Sequence, residues 1–243
     1  MRPLILTASA LSLGFCSAAG AEVIVAVYTG ASRTQSSDLR IEMPDSGSNA
    51  EFQGVRWQAR PFEDAPYYGL RISYFPRRSA RLGWNLDFTH YKMYAETDRV
   101  TAVEGRWNGS RVREFALMKT RVQNFEISHG VNLTSLNADY RWRAESHSSF
   151  GRRWQPHVGG GVVAYLPHAE GSINGLSSAA NYQLAGGGYQ VFLGTEYRLL
   201  RRLSVFVETK FDYGKLDIHL TPTARAKTTM RTLHALAGVA WHF

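Results

Sequence analysis

The chain of 243 residues has a single cysteine and no apolar run that reaches the roughly 18 residues needed for a membrane-spanning helix. Helical hydrophobic periodicity is also almost absent. The lack of long apolar runs excludes a helical membrane protein, and one thiol excludes an intramolecular disulfide framework. The composition is still too apolar for a disordered chain, with 44% hydrophobic and 12% aromatic residues.

The first residues have the organisation of a secretion signal. Arg2 supplies a positive charge, an apolar stretch covers 3–15, and Ala19-Gly20-Ala21 offers small residues where a signal peptidase cleaves. We therefore predict a signal peptide at 1–21 and a single domain at 22–243. Since Cys16 lies inside the predicted signal, the secreted domain would have no thiol for a disulfide, a metal site or a nucleophile.

Apolar and polar side chains alternate through most of the predicted domain, as they do in strands. The C-terminus is the clearest case, because one face reads Leu233, Ala235, Ala237, Val239, Trp241 and Phe243. In other segments the second face carries mixed charges, which are Asp87, Asp139, Arg141, Glu196, Arg198, Glu208 and Lys210. A soluble sandwich would expose such charges to water. An apolar face for lipid and paired charges inside are typical of a transmembrane β-barrel.

The count of these segments predicts an all-β fold, an eight-stranded antiparallel transmembrane β-barrel of the bacterial outer membrane. We place its strands at 23–34, 66–76, 82–95, 126–143, 153–168, 185–200, 202–214 and 228–243. The connections alternate between short ones (77–81, 144–152, 201) and longer ones (35–65, 96–125, 169–184, 215–227). Outer-membrane barrels have short periplasmic turns and longer outer loops, and the alternation in length fits that arrangement. Eight strands leave an interior that side chains fill, so we expect no diffusion pore.

The chain ends in alternating Val239, Trp241 and Phe243, which resembles the C-terminal signature of outer-membrane barrels. We therefore expect the outer-membrane insertion machinery to recognise Phe243. Nucleic acid is not an expected partner at this location. The abundant anion outside the outer membrane is lipopolysaccharide, whose phosphates attract Lys and Arg. We assign Lys92, at the outer end of the third predicted strand, and Arg99 and Arg121, from the basic second loop, to substrate phosphate at the rim; a solvated loop without a ligand is the alternative.

Polar residues interrupt the lipid face near the outer ends of three consecutive strands. If Leu86 pairs with Leu136, the same register places His90 opposite Asn132, and His168 follows on the next strand. We predict that His90, Asn132 and His168 are catalytic. Two imidazoles and a carboxylate also suit a divalent metal, for which we predict the ligands His90, His168 and Glu170. Acid and base catalysis by the same residues is the alternative chemistry.

The segments around these residues are similar to a known family. Leu86-Asp87-Phe88-Thr89-His90 with Lys92 and Tyr94, Gly130-Val131-Asn132, and Pro167-His168 with Glu170 resemble the outer-membrane lipid A oxidases of rhizobia and their relatives. The resemblance covers about 66–170 and continues more weakly to the end of the chain. It implies oxidation of the proximal glucosamine of lipid A to 2-aminogluconate by O2, with peroxide as by-product. No flavin or nicotinamide fold fits in this chain, so the oxidation would need a divalent metal as cofactor or a direct reaction with O2.

Two other functions remain open. A non-enzymatic barrel with a structural or adhesive role fits every barrel feature, and only the polar rim residues speak against it. A lipid A deacylase would need a serine beside an activating histidine. Ser128 and His129 are neighbours on a predicted strand, so we expect them to point to opposite faces. His147-Ser148-Ser149 lies on a turn that we expect to face the periplasm.

Overall fold

The computed structural model describes residues 20–63, 65–142, 153–179 and 181–243. The predicted signal peptide, apart from its last two residues, and the predicted turn at 144–152 lie outside the described residues. Short 3₁₀ turns cover Pro44–Ser46 and Met118–Thr120. The strands, in chain order, are β1 (Glu22–Thr34), β2 (Ser37–Met43), β3 (Ser48–Val55), β4 (Trp57–Gln58), β5 (Tyr68–Phe75), β6 (Leu82–His90), β7 (Met93–Ala95), β8 (Val100–Trp107), β9 (Ser110–Leu117), β10 (Val122–Ile127), β11 (Leu133–Arg141), β12 (Trp154–Tyr165), β13 (Glu170–Ile173), β14 (Leu176–Ala179), β15 (Gly186–Arg198), β16 (Leu203–His219) and β17 (Arg225–His242).

Eight of these strands close into an antiparallel barrel. Their order is β1-β5-β6-β11-β12-β15-β16-β17, and β17 pairs with β1 to complete the ring. This confirms the predicted fold. The predicted register is confirmed as well, because Leu86 of β6 lies opposite Leu136 of β11. Within the described residues, no helix is both long and apolar enough to cross a bilayer.

The two faces of the barrel wall differ sharply in polarity. On β6, Trp84 and Leu86 are 55% and 53% exposed, whereas Asn85 and Asp87 are 1% exposed. Each strand turns successive side chains to opposite faces, so the wall is apolar outside and polar inside. A closed ring also pairs the backbone groups of every strand, which a span of lipid requires. The fold is that of a transmembrane β-barrel.

Buried ion pairs fill the barrel interior. Arg71 donates to Glu208 at 2.6 Å and to Asp87 at 3.0 Å, and Lys210 donates to Asp87 at 2.6 Å. Near the start of β1, Arg141 forms an ion pair with Glu22 at 2.7 Å. A cavity of about 40 Å³ is left beside this second pair, which is room for about one water molecule. The part of the interior that the structure describes is therefore packed. The paired charges inside the barrel fill its core, as the alternation in the sequence predicts.

The longer connections fold into two sheets above one end of the barrel, which we call the outer extension. β2, β3, β8 and β9 continue from the upper part of β17, while β14, β13, β10, β7 and β4 form a second sheet. The indole N–H of Trp57 donates to Ser37 at 2.8 Å, and that of Trp107 donates to Asn174 at 2.9 Å, so each tryptophan joins the sheets. We predicted these segments as loops, and the structure shows strands.

The opposite end of the barrel carries the start of β1, the end of β17 and the short turns. Ile24 pairs with His242 there, and the connections 76–81 and 199–202 lie at the same end. Short turns face the periplasm in outer-membrane barrels. The outer extension therefore marks the end that faces away from the cell.

Candidate functional site at the outer rim

Three residues form one row on the outward face where the barrel meets the outer extension. Tyr68 begins β5 and lies opposite His90, the last residue of β6. Their rings stack with centroids 4.8 Å apart. On the other side, His90 Nδ1 lies 2.8 Å from the amide oxygen of Asn132. His90 is only 5% exposed although it is on the outer face, because its neighbours cover the ring. The predicted contact between His90 and Asn132 is present.

The amide of Asn132 is oriented by a second contact, which fixes the proton on His90. Asn132 Nδ2 donates to the carbonyl oxygen of Leu166 at 3.3 Å, so the amide oxygen is the atom that faces His90. An oxygen acceptor requires that Nδ1 of His90 carry the proton. The other ring nitrogen, Nε2, is buried and has no hydrogen-bond partner among the described residues, so its lone pair is free in neutral His90.

A break between β10 and β11 shapes the rest of the site. We predicted one strand over 126–143, but residues 128–132 leave the strand conformation, and Gly130 and Asn132 have φ of 106° and 48°. A Cβ on Gly130 would lie 2.4 Å from His90 Nδ1, so only glycine allows the chain to pass this close to the ring. The break moves His129 away from the position that strand geometry predicts.

His129, His168 and Glu170 come together beside this break. His129 Nδ1 lies 3.2 Å and His168 Nε2 lies 3.7 Å from Glu170 Oε1. One ligand atom from each of the three residues falls within 4.8 Å of the others. The Nδ1 atom of His168 is buried and has no hydrogen-bond partner among the described residues. We call Tyr68, His90, Asn132 and this trio the rim cluster.

Imidazole and carboxylate ligands at this spacing suit a divalent transition metal. Ligand atoms about 2.1 Å from a tetrahedral metal lie about 3.4 Å from one another, so the trio would need to contract only slightly. We predicted the ligands His90, His168 and Glu170. The structure brings the last two together with His129, while His90 contacts Asn132. The sequence did not reveal His129 because we read its segment as a continuous strand; the adjacent Gly130 was the signal of a break.

The basic residues assigned to phosphate have different surroundings. Lys92 lies between β6 and β7, two residues after His90 in the chain. Arg99 forms an ion pair with Glu96, and Arg121 donates to Glu114 at 2.5 Å. An anionic ligand would have to compete with these carboxylates for Arg99 and Arg121, whereas Lys92 is the basic residue nearest the rim cluster in the chain.

Ser128 and His129 are closer than we predicted. Both lie in the turn after β10 rather than on opposite faces of a strand, and Ser128 Oγ is 3.4 Å from His129 Nδ1. That prediction was wrong because strand alternation stops at Ile127. The pair still lacks the geometry of a nucleophile relay, since Glu170 contacts the same nitrogen that Ser128 contacts. In a working triad the acid and the serine use different ring nitrogens.

The fold and the rim cluster together define a small transmembrane barrel whose outer rim carries a polar, histidine-rich patch. No family model matches the chain, and no curated protein matches it. Among solved structures it is similar to the outer membrane protein OprG from Pseudomonas aeruginosa, with a TM-score of 0.48 and 13% identity over 92% of this chain and 96% of that one. It is also similar to the N-terminal β-barrel domain of Pseudomonas aeruginosa OprF, with a TM-score of 0.43 and 14% identity over 91% and 97% of the two chains. A third similar structure is Neisserial surface protein A, with a TM-score of 0.39 and 16% identity over 92% of this chain and 99% of that one.

Proposed function

We propose that the chain is an outer-membrane enzyme that oxidises lipid A. The observation that carries the proposal is the concentration of three imidazoles and a carboxylate on the outward rim: His90, His129, His168 and Glu170. This rim lies at the end of the barrel that faces away from the cell, where lipid A occupies the outer leaflet. The resemblance of the same segments to lipid A oxidases supports the proposal from the sequence side.

The proposed reaction acts on the anomeric carbon of an unphosphorylated proximal glucosamine. The hemiacetal loses the hydrogen on C1 and the proton of its hydroxyl group and becomes a lactone. The two electrons and two protons released in this oxidation reduce O2 to H2O2. Water then opens the resulting lactone to 2-aminogluconate, so the lipid gains one oxygen atom. Nε2 of His90 is the base that takes the hydroxyl proton, and Asn132 holds its ring in that tautomer.

His129, His168 and Glu170 would hold a divalent metal, which would supply a Lewis acid for the sugar oxygens and a path for electrons to O2. The residues fit this role because the trio is compact and offers two imidazoles and a carboxylate. Tyr68 would cover one face of the sugar site through its stack on His90. Lys92 would hold a phosphate of the same lipid.

Mass spectrometry of lipid A tests this function. Cells that express the chain should convert dephosphorylated lipid A to a product with one more oxygen, in air and with divalent metal present. His90→Gln and His129→Gln should each lower conversion at least tenfold. His219→Gln is the matched control, because this exposed histidine lies at the outer end of β16, outside the rim cluster. Folded protein that leaves the lipid A spectrum unchanged would refute the oxidase, and loss of an acyl chain would identify a deacylase instead.

A non-enzymatic surface protein is the second candidate. The observation in its favour is the outer extension, which commits nine strands to an exposed structure above the barrel. Of the strands in the outer extension, only β13 contributes a residue, Glu170, to the rim cluster, so most of this structure is not needed to position the cluster. Adhesion would survive His90→Gln and His129→Gln, whereas oxidation would not, so the same variants separate the two functions.

A further inference from the structure

Three basic side chains lie on the outer wall of the barrel, away from the rim cluster. Arg33 is on β1, Arg231 on β17 and Lys215 on β16, and all three are exposed. These strands are consecutive neighbours in the closed ring. On one side β1 borders β5, which carries Tyr68 of the rim cluster, and on the other side β15 separates β16 from β12. Arg33 lies on β1 beyond Tyr28, the residue that pairs with Gly69 next to Tyr68.

The strand register brings the three cations together. Arg33 lies opposite Leu233, Arg231 lies opposite Tyr213, and Lys215 lies opposite Thr229. Arg33 and Lys215 are therefore both diagonal neighbours of Arg231, at about 7–8 Å. Their long side chains can converge on one group at that spacing.

The same residues mark the upper border of the lipid-facing wall. Leu233, opposite Arg33, is 50% exposed. Tyr189 and Tyr213 stack with centroids 5.2 Å apart, and the Arg231 guanidinium lies 5.9 Å from the Tyr213 centroid. Aromatic residues of transmembrane barrels gather at the depth of the lipid head groups. The three cations are therefore at head-group depth.

These cations lack the counter-ions that others on this face possess. Further out on the same face, Lys227 pairs with Glu42 at 2.9 Å and Arg225 pairs with Asp217 at 3.4 Å. Among the described residues, Arg33, Lys215 and Arg231 form no ion pair. The counter-charge for this group has to come from outside the chain.

We propose that Arg33, Lys215 and Arg231 bind a phosphate of a lipid A molecule that is not the substrate. The surface is continuous with the lipid-facing wall, and cations at head-group depth select a phosphorylated lipid of the outer leaflet. Directly below, Ala31, Ala235 and Thr209 form a cross-strand row of small side chains, against which an acyl chain can lie. This site depends on the membrane location and is independent of the oxidase activity.

Native mass spectrometry of the full chain in detergent, with added diphosphoryl lipid A, tests the site. The variant R33Q/K215Q/R231Q should lose affinity on the order of a hundredfold, since each cation near an anionic lipid contributes about fivefold. The control R40Q/R225Q/K227Q removes the same charge from ion-paired residues on the same face and should change affinity less than about threefold. Conversion of lipid A at the rim cluster should be unchanged in both.

Equal losses in the two triple variants would overturn the proposal, because they would reveal attraction by net charge alone. Equal affinity of the wild-type chain for dephosphorylated lipid A, or for phosphatidylglycerol, would overturn it too. If R33Q/K215Q/R231Q does not fold, R231Q alone decides the question, with an expected loss of about fivefold. R33K/R231K, which keeps the charges, should bind nearly as well as the wild-type chain.

Discussion

Gly130 is the residue on which the geometry of the rim cluster depends. Its φ of 106° is strained for any residue with a side chain, and a Cβ there would lie 2.4 Å from His90 Nδ1. We expect Gly130→Ala to displace His90 from Asn132 and to lower lipid A conversion at least tenfold, while the barrel still inserts. Conversion and heat-modifiable gel migration measure the two effects.

Gly171→Ala is the control for this change. Gly171 lies on neighbouring β13, and an added Cβ would have no atom closer than 3.5 Å. This variant should keep near wild-type conversion. Full activity in Gly130→Ala would mean that the contact between His90 and Asn132 is not needed for the reaction.

The metal ligands are the second question at the residue scale. Purified protein should bind one Co²⁺, and His129→Ala or Glu170→Gln should weaken binding at least tenfold, because each removes one of the three proposed ligands. His90→Ala should retain the metal but lose conversion. Calorimetric titration and the visible spectrum of Co²⁺ report the binding. Retention of metal in His129→Ala with loss in His90→Ala would instead support the ligand set His90, His168 and Glu170.

The alternation of apolar and polar residues predicted the structure correctly only where a strand runs through the barrel. It predicted all eight barrel strands and the pairing of Leu86 with Leu136, because one face must meet lipid and the other must fill the interior. It failed at 128–132, where a glycine with positive φ ends the alternation, and so it missed His129. The contact between His90 and Asn132 was predictable because it only continues the register of β6 and β11.

The elements of the outer extension were not predictable from the same pattern. β4, β7, β13 and β14 have two to four residues each, too few for a periodic signal. Their burial comes from contacts between distant segments, such as Trp57 with Ser37 and Trp107 with Asn174. Contacts of this kind depend on how the two sheets meet, which local sequence does not encode.

The junction of β2 with β17 should weaken in acid. The Lys227 ammonium donates to both oxygens of Glu42, at 3.0 and 2.9 Å, and this contact lowers the pKa of the Glu42 carboxyl. A lowered folded-state pKa stabilises the junction above the ordinary Glu pKa of about 4.3, and that contribution disappears as pH falls through the folded value. The effect is about 0.2–1 kcal/mol because the pair is partly exposed.

Hydrogen exchange of the amides of 37–43 measures this effect. Protection corrected for intrinsic exchange should fall between pH 5 and pH 3 in the wild-type chain, and Glu42→Gln should remove most of that dependence. Glu51→Gln, on adjacent β3, should leave it in place. An unchanged pH dependence in Glu42→Gln would show that another group controls the junction.

At the scale of the whole molecule, the barrel wall separates the interior ion pairs from the proposed functional sites. Its interior is held by buried ion pairs, whereas the rim cluster and the cations of β1, β16 and β17 lie on the outer face. Changes inside should therefore alter stability without altering lipid chemistry. The interior charges are balanced in pairs, since Arg71 and Lys210 face Asp87 and Glu208.

Lys210→Met tests this separation. Lys210 and Asp87 are fully buried and 2.6 Å apart, so removal of the ammonium leaves Asp87 with Arg71 as its remaining cation. We expect a loss of about 3–5 kcal/mol in the free energy of unfolding. Lys210→Met with Asp87→Leu removes the whole pair and leaves Arg71 with Glu208, so the double variant should lose less than the single one.

Urea unfolding followed by tryptophan fluorescence measures both losses, and folded protein of either variant should oxidise lipid A at the wild-type rate. Asp87→Leu alone completes the comparison: a double variant that loses the sum of the Lys210→Met and Asp87→Leu losses would show that the charges do not act as a pair. Slower oxidation by folded protein would show that the interior is coupled to the rim.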